Sequence, residues 1–407
     1  MRSAITIILL LICVCLSYGA EPDFTHFNPE LTGLVYINTS FENASPLYYE
    51  TDADGVVHIY LVYDQERDSP NRANGHWYYQ VQGEPGSDVT IMMHNFENIW
   101  NGRRGIPVGE RTFCLVSPDG RKWEKVETEL VDGVKIKFTV HLEQDSLYVV
   151  HVEPYRISDL ESMKQEISGH ALVEISTIGH TVEGRELEII RVGNPEAPHR
   201  IFLRARAHPW EPGGNWVVQG LIHSLLQESE ENQKYLERYA VYILPMANKD
   251  GVARGRTRFN SMGWDLNRKW DQLADRELAP ENYYLEKWFQ SMIDQGKPIQ
   301  FAIDLHNDQG GRTHISRPNV DLEKYLATMK KYEELMRRHT WYTEGSTGSN
   351  FRNPGTIGEG LLERYGIMAC VQELNCDWIA GLNTYPTGEH WMQLGSDMRR
   401  VFYDLFE

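Results

Sequence analysis

The stretch RARAHPWEPGGNW, residues 204–216, is where the fold of this chain can be read. Ahead of His208, the small and apolar residues Ile201, Leu203, Ala205 and Ala207 alternate with other side chains, the period of a strand. His208 and Glu211 follow, three apart, among Pro209, Pro212 and Gly213-Gly214, whose freedom is expected to turn the chain into the next element. Trp216–Glu228 then reads as a helix. A lone H-x-x-E is common, and it fits a polar turn as well as half of a metal site.

Working outward, three more strand candidates end in polar residues. Ala240–Pro245 leads to Asn248, Ile299–Leu305 to His306, and Ile367–Gln372 to Glu373. Helix candidates lie between and after them at Glu281–Asp294, Leu322–Arg338 and Glu389–Leu405. Strands alternating with helices imply an α/β sheet, and ligand sites in such sheets form beyond the carboxyl ends of the strands. His208, Glu211, Asn248, His306 and Glu373 are therefore expected at one edge. Two imidazoles and one carboxylate suit a catalytic zinc, which keeps a fourth position open. The helical H-E-x-x-H pattern is absent, so the ligands must be assembled across the sheet.

Upstream, short β-branched or alternating runs (Val56–Tyr63, Trp77–Val81, Val89–Met93, Val134–Val140, Leu147–Val152) are separated by turn residues. They predict a small antiparallel sandwich. Trp77, Tyr78, Tyr79 and Trp100 are expected in its core. Residues 20–155 form this unit and 156–407 the α/β unit.

The 407 residues carry a net charge of −18, which argues against nucleic acid or an anionic membrane as partner. Residues 1–19 read as a signal peptide: Arg2, an apolar run Ala4–Leu16, then Ser17 and Gly19. Export to the periplasm or the extracellular space is the expectation. Beyond that segment three cysteines remain, Cys114, Cys370 and Cys376, and a Cys370–Cys376 bridge stays open. Asn38 and Asn43 head glycosylation sequons. No Gly-rich phosphate loop supports nucleotide binding.

With these residues in place, the second half resembles the M14 family of zinc carboxypeptidases. The likeness runs through GHTVEGRELEIIRVG, AHPWEPGGNW, PMANKDGVARGRTRFNSMGWDLNRKW, IDLHN and VQELN, about residues 170–407. The first half looks like the domain that precedes the catalytic domain in cytosolic carboxypeptidases, the subgroup it most resembles. The resemblance implies a mixed central sheet flanked by helices, behind a small all-β domain. It implies one zinc held by His208, Glu211 and His306. Glu373 would be the general base, Arg258 would polarise the scissile carbonyl, and Asn267 with Arg268 would grip the terminal carboxylate. The implied substrates are peptide or protein C-termini, cell-wall stem peptides being the alternative, and the implied state is a monomer. A non-catalytic binding protein on this fold would have no need of Glu373. Asp265 is expected to orient its loop, and Asp304 is either a partner of His306 or an ordinary strand residue.

The family's N-P-D-G turn is Asn248-Lys249-Asp250-Gly251 here, and Asn, Asp and Gly carry the turn geometry. Where glutamate-removing relatives place an arginine, this chain has Gly358 followed by Glu359. Glu359 is a candidate to face a basic side chain. The tyrosine that covers substrate in pancreatic-type members has no clean match. Phe351 and Arg352 lie near its position, and Tyr342 fits it poorly.

Overall fold

In the computed structural model, residues 32–407 are described, apart from 68, 351, 353 and 354. The expected signal peptide and Phe351 lie outside the described residues. The alternating runs of the first half become β1 (Leu34–Asn38), β2 (Leu47–Thr51), β3 (Val57–Leu61), β4 (Tyr78–Gly83), β5 (Asp88–His94), β6 (Asn98–Trp100), β7 (Arg103–Gly105), β8 (Phe113–Ser117), β9 (Glu124–Glu127), β10 (Glu129–Val131), β11 (Lys135–His141) and β12 (Ser146–Val150). They form two five-stranded sheets, β1-β4-β12-β8-β9 and β10-β11-β5-β3-β2, with β6–β7 a separate hairpin. Trp77, Tyr79 and Val81 meet Ile59, Ile91, Met93 and Phe138 in a common core. The sandwich is not wholly antiparallel, because β3 and β5 run parallel. The chain crosses to the other sheet as β4 between them, so β5 returns in the direction of β3.

After α1 (Ile157–Ile167), the second half contributes β13 (Val173–His180), β14 (Glu186–Val192), β15 (His199–Ala205), β16 (Tyr239–Leu244), β17 (Phe301–Asp308), β18 (Thr313–His314) and β19 (Met368–Asn375). One mixed sheet results, ordered β13-β14-β16-β15-β17-β19-β18. Its centre, β16-β15-β17-β19, is parallel, and β13, β14 and β18 are antiparallel additions. The helices are α2 (Gly213–Leu226), α3 (Glu230–Arg238), α4 (Lys249–Ala253), α5 (Pro280–Asp294), α6 (Leu322–His339), α7 (Ile357–Tyr365) and α8 (Gly388–Leu405).

The period of two along β15 sorts its side chains between the two faces of the sheet. Ile201, Leu203 and Ala205 join the core under α2, α6 and α8. Phe202 joins the core under α5 and α7. From β15 the chain first builds β16 on one side and later β17 on the other, so the crevice between β15 and β17 is a topological switch point. His208 and His306 sit there.

Candidate metal and catalytic site

Helix α2 begins three residues before the expected Trp216, at Gly213. Gly213 and Gly214 are not positive-φ turn residues. They let the helix approach the sheet: a Cβ on Gly214 would lie 2.9 Å from Leu305 Cβ, and one on Gly213 2.8 Å from Asn307. The bend itself falls on Arg206, which is left-handed at φ 61°. Its buried guanidinium donates to the Pro209 carbonyl (2.6 Å) and to Asn215 Oδ1 (3.1 Å), cross-linking the HPWEP turn. Strain of this kind survives only where surroundings over-determine the conformation.

Three of the expected strand ends converge. The ligand atoms of His208, Glu211 and His306 lie within 4.8 Å of one another, and all three residues are buried. His208 Nδ1 and His306 Nδ1 are 3.1 Å apart. Glu211 Oε1 is 2.9 Å from the first and Oε2 2.7 Å from the second. The outer nitrogens each face a carboxylate: His208 Nε2 lies 3.1 Å from Asp265 Oδ1, and His306 Nε2 2.6 Å from Asp304 Oδ2. Each imidazole therefore donates outward and turns a lone pair inward. Two such nitrogens and a carboxylate cannot satisfy one another, but they suit a divalent cation. A tetrahedral zinc with bonds of about 2.0–2.2 Å holds its ligand atoms about 3.3–3.6 Å apart, a little wider than the 2.7, 2.9 and 3.1 Å seen here. The site fits the group.

Burial raises the Glu211 carboxyl, but positive charge at this centre, on the imidazoles or on a cation held between them, lowers it to about 2. Burial also opposes ionisation of Asp304, yet Arg204 and His306 hold it far below the usual range. Arg204 donates to both oxygens of Asp304, at 2.7 and 2.6 Å, wholly buried. Asp304 is thus the partner of His306, fixing its tautomer and ring.

Asn248 does not reach this centre. Its Oδ1 accepts from the Gly251 amide at 3.0 Å and caps α4.

Glu373 on β19 stands opposite His306 on β17 in the sheet register. Its Oε2 is buried with no hydrogen-bond partner among the described residues. Burial, then the nearby Asp308, pushes its carboxyl well above the ordinary value. His314 Nε2 is 3.6 Å from Oε1. Neither neighbour was singled out from the sequence: Asp308 follows His306 by two, but His314 arrives only through the pairing of β18 with β19.

Arg258 Nε donates to Asp265 Oδ2 at 2.7 Å, and its guanidinium lies 5.4 Å from the Trp100 ring. Asp265 also accepts from the Asn267 backbone N–H at 3.0 Å, so it ties His208, Arg258 and the loop together. Arg268 donates to the Asn267 carbonyl (2.8 Å) and to Asn101 Oδ1 (3.3 Å). The Asn267 amide nitrogen lies 3.4 Å from His306 Nε2. That nitrogen already donates to Asp304, so it cannot accept, and the Asn267 donor stays available. Asn267 Oδ1 accepts from the Ile357 amide, fixing the start of α7.

Of the four aromatics expected in the sandwich core, Trp77 and Tyr79 are buried there; Tyr78 points to the other face of β4 and is buried with Phe113, Leu115 and Val150, and Trp100 lies on the β6–β7 hairpin over Arg258. Glu359 is fully buried, and Arg352 Nε donates to it at 3.1 Å. A Cβ on Gly358 would lie 3.5 Å from the Cys370 backbone. Tyr342 is buried, its hydroxyl bonded to Thr313 and to the Gly345 carbonyl. Cys114, Cys370 and Cys376 are all free and buried, so there is no Cys370–Cys376 bridge. Asn43 is buried with its side-chain nitrogen on the Val252 carbonyl (2.9 Å), which closes that sequon in the folded protein.

A mixed sheet with a His-Glu-His group at its switch point is the arrangement expected of a zinc carboxypeptidase fold. The zinc carboxypeptidase family model matches residues 158–312, so that stretch carries an M14 zinc carboxypeptidase domain, a family that uses one zinc. The chain is 32% identical over 233 residues to cytosolic carboxypeptidase 1 of Mus musculus, covering 53% of this chain but 18% of that one. It is 23% identical over 392 residues to the uncharacterized protein ZMO1242 of Zymomonas mobilis, covering 92% and 97%. Among solved structures it is similar to a metallo-carboxypeptidase of Burkholderia cenocepacia, with TM-score 0.79 at 20% identity over 91% of this chain and 99% of that one. The same extent is shared with a metallo-carboxypeptidase of Pseudomonas aeruginosa in complex with (2-guanidinoethylmercapto)succinic acid, with TM-score 0.78 at 20% identity. The chain thus spans under a fifth of the mouse relative and nearly all of the bacterial ones.

Proposed function

We propose that the protein removes the C-terminal residue from peptides or proteins, with Glu373 as general base. The observation that carries this is the unpartnered Glu373 Oε2 on the residue that stands opposite His306 across β17 and β19. His208, Glu211 and His306 would hold zinc, which supplies Lewis acidity toward the attacking water and the scissile carbonyl. Glu373 takes a proton from that water as its oxygen bonds to the carbonyl carbon. As the C–N bond breaks, the same carboxyl hands the proton to the leaving amine. Arg258 donates to the carbonyl oxygen as it becomes an oxyanion. Arg268 and the spare Asn267 donor hold the terminal carboxylate, which places the last peptide bond at Glu373. The products are a free amino acid and a chain shorter by one. Residues 20–155 and 156–407 act as separate folding units in this reading.

Residues 1–19 support export of the protein, and an exported product whose first residue is Ala20 would bear this out. Among the described residues, no helix is long and apolar enough to cross a membrane.

The test pairs metal analysis with a panel of peptides ending in different residues. Glu373→Gln should keep the parent's metal content and lose about 100-fold or more in kcat. A variant that keeps its metal and cleaves at the parental rate ends this reading.

A further inference from the structure

We propose that the N-terminal sandwich is a working part of the site, and that its buried Asp64 is a positioning residue for Arg258. This rests on the role given to Arg258 above. Asp64 lies just beyond β3, in the sandwich, yet its carboxylate serves the catalytic half. Oδ1 accepts from the Thr257 amide at 3.0 Å, and Oδ2 from the amides of Arg258 at 2.6 Å and Phe259 at 3.0 Å. Three successive N–H groups turned to one carboxylate fix the backbone on both sides of Arg258, and so the direction in which its side chain leaves. An ionised carboxylate accepts from all three at once. An amide in its place would point an NH2 at donors.

The surrounding contacts reinforce that hold. Thr257 Oγ1 accepts from the amides of Gly75 (3.2 Å) and His76 (3.3 Å). The Arg67 amide donates to the Gly263 carbonyl at 2.8 Å. The loop bearing Arg258 is thus clasped at both ends by the sandwich. The guanidinium is held from the same side: Asn71 Nδ2 donates at 3.2 Å to the Asp265 oxygen that receives Arg258 Nε. With Trp100 over the guanidinium, the sandwich sets the backbone, the counter-ion and one face of this arginine. Positioning of this kind acts on the rate of the chemical step, because Arg258 meets its full charge only in the transition state.

The experiment compares parent, Asp64→Asn, Arg258→Ala and the double variant as full-length metal-loaded proteins. Rates are normalised to zinc content, and folding is checked by near-UV circular dichroism. Asp64→Asn should lower kcat by about 10- to 100-fold while KM moves by less than about threefold. In the Arg258→Ala background the same substitution should cost almost nothing more. Parental kcat in Asp64→Asn overturns the inference. Equal fold-losses in both backgrounds also overturn it, since they mean general damage. Arg258→Ala with parental activity would instead sink the role of Arg258 itself. If Asp64→Asn does not fold, Asn71→Ala leaves the three amides paired and loosens only Asp265. It should show the same kcat-selective, Arg258-dependent loss at smaller size, and parental kcat there overturns the proposal.

Discussion

At the scale of single residues, the basicity of Glu373 is set by what surrounds it. Burial and the Asp308 carboxylate both disfavour its ionised form. The general base proposed here works only when ionised, so on that proposal activity should fall as pH drops through its raised pKa. Asp308→Asn removes one negative neighbour, and its remaining oxygen can still accept from the Gly310 and Gly311 amides (2.7 and 2.6 Å). The acidic limb of kcat/KM should therefore move to lower pH. A pH profile with an unmoved limb would show that Asp308 does not act on Glu373. These carboxylates were only half visible in sequence. Glu373 stood at a strand end, whereas Asp308 matters through a distance that no spacing encodes.

At the scale of elements, α5 enters with a buried acid at its first turn. Glu281 is 1% exposed, and burial pushes it up to about 7. Its Oε2 takes a hydrogen bond from Asn260 at 3.1 Å, but Oε1 has no partner among the described residues. An unfolded Glu titrates near 4.5, so between that value and 7 the folded chain holds the extra proton. Stability contributed by this group is present at low pH and falls as pH rises to 7. At about 1.4 kcal/mol per unit the loss is on the order of 3 kcal/mol. Glu281→Gln should remove that dependence, so thermal unfolding at pH 5 and pH 8 should differ less than in the parent. An unchanged difference would place the titration elsewhere. The helix was readable from its apolar spacing. That its first acid is buried was not, because burial depends on the Arg258 loop lying across it.

At the scale of the whole molecule, the sandwich and the α/β half share a seam that shapes the site. Gly255 has a left-handed φ of 59°, and a Cβ there would collide with the Ala44 carbonyl of the sandwich. Gly255→Ala adds both backbone strain and an overlap, which should cost about 1–3 kcal/mol or more. The midpoint of denaturant unfolding should fall, and kcat should fall with it, because the displaced loop carries Arg258. A parental midpoint would mean that the two halves move apart without penalty. Asp64, Asn71 and Trp100 belong to this scale too. Each reads locally as a loop or core residue, and each contacts a partner more than 150 positions away.

What the sequence determined by itself is the alternation of four strands with helices in the second half, the placing of His208, His306 and Glu373 toward the carboxyl ends of those strands, and the family resemblance that suggests their roles. Those features are local: periodicity of two or 3.6, and motifs whose members are neighbours in the chain. The tertiary structure decided that Asn248 caps a helix, that Asp304 pairs with Arg204 behind His306, and that Glu359 is buried. It also decided that the first half reaches into the site. These depend on which strands pair and which side chains lose water, and both are set only when segments far apart in the chain pack together.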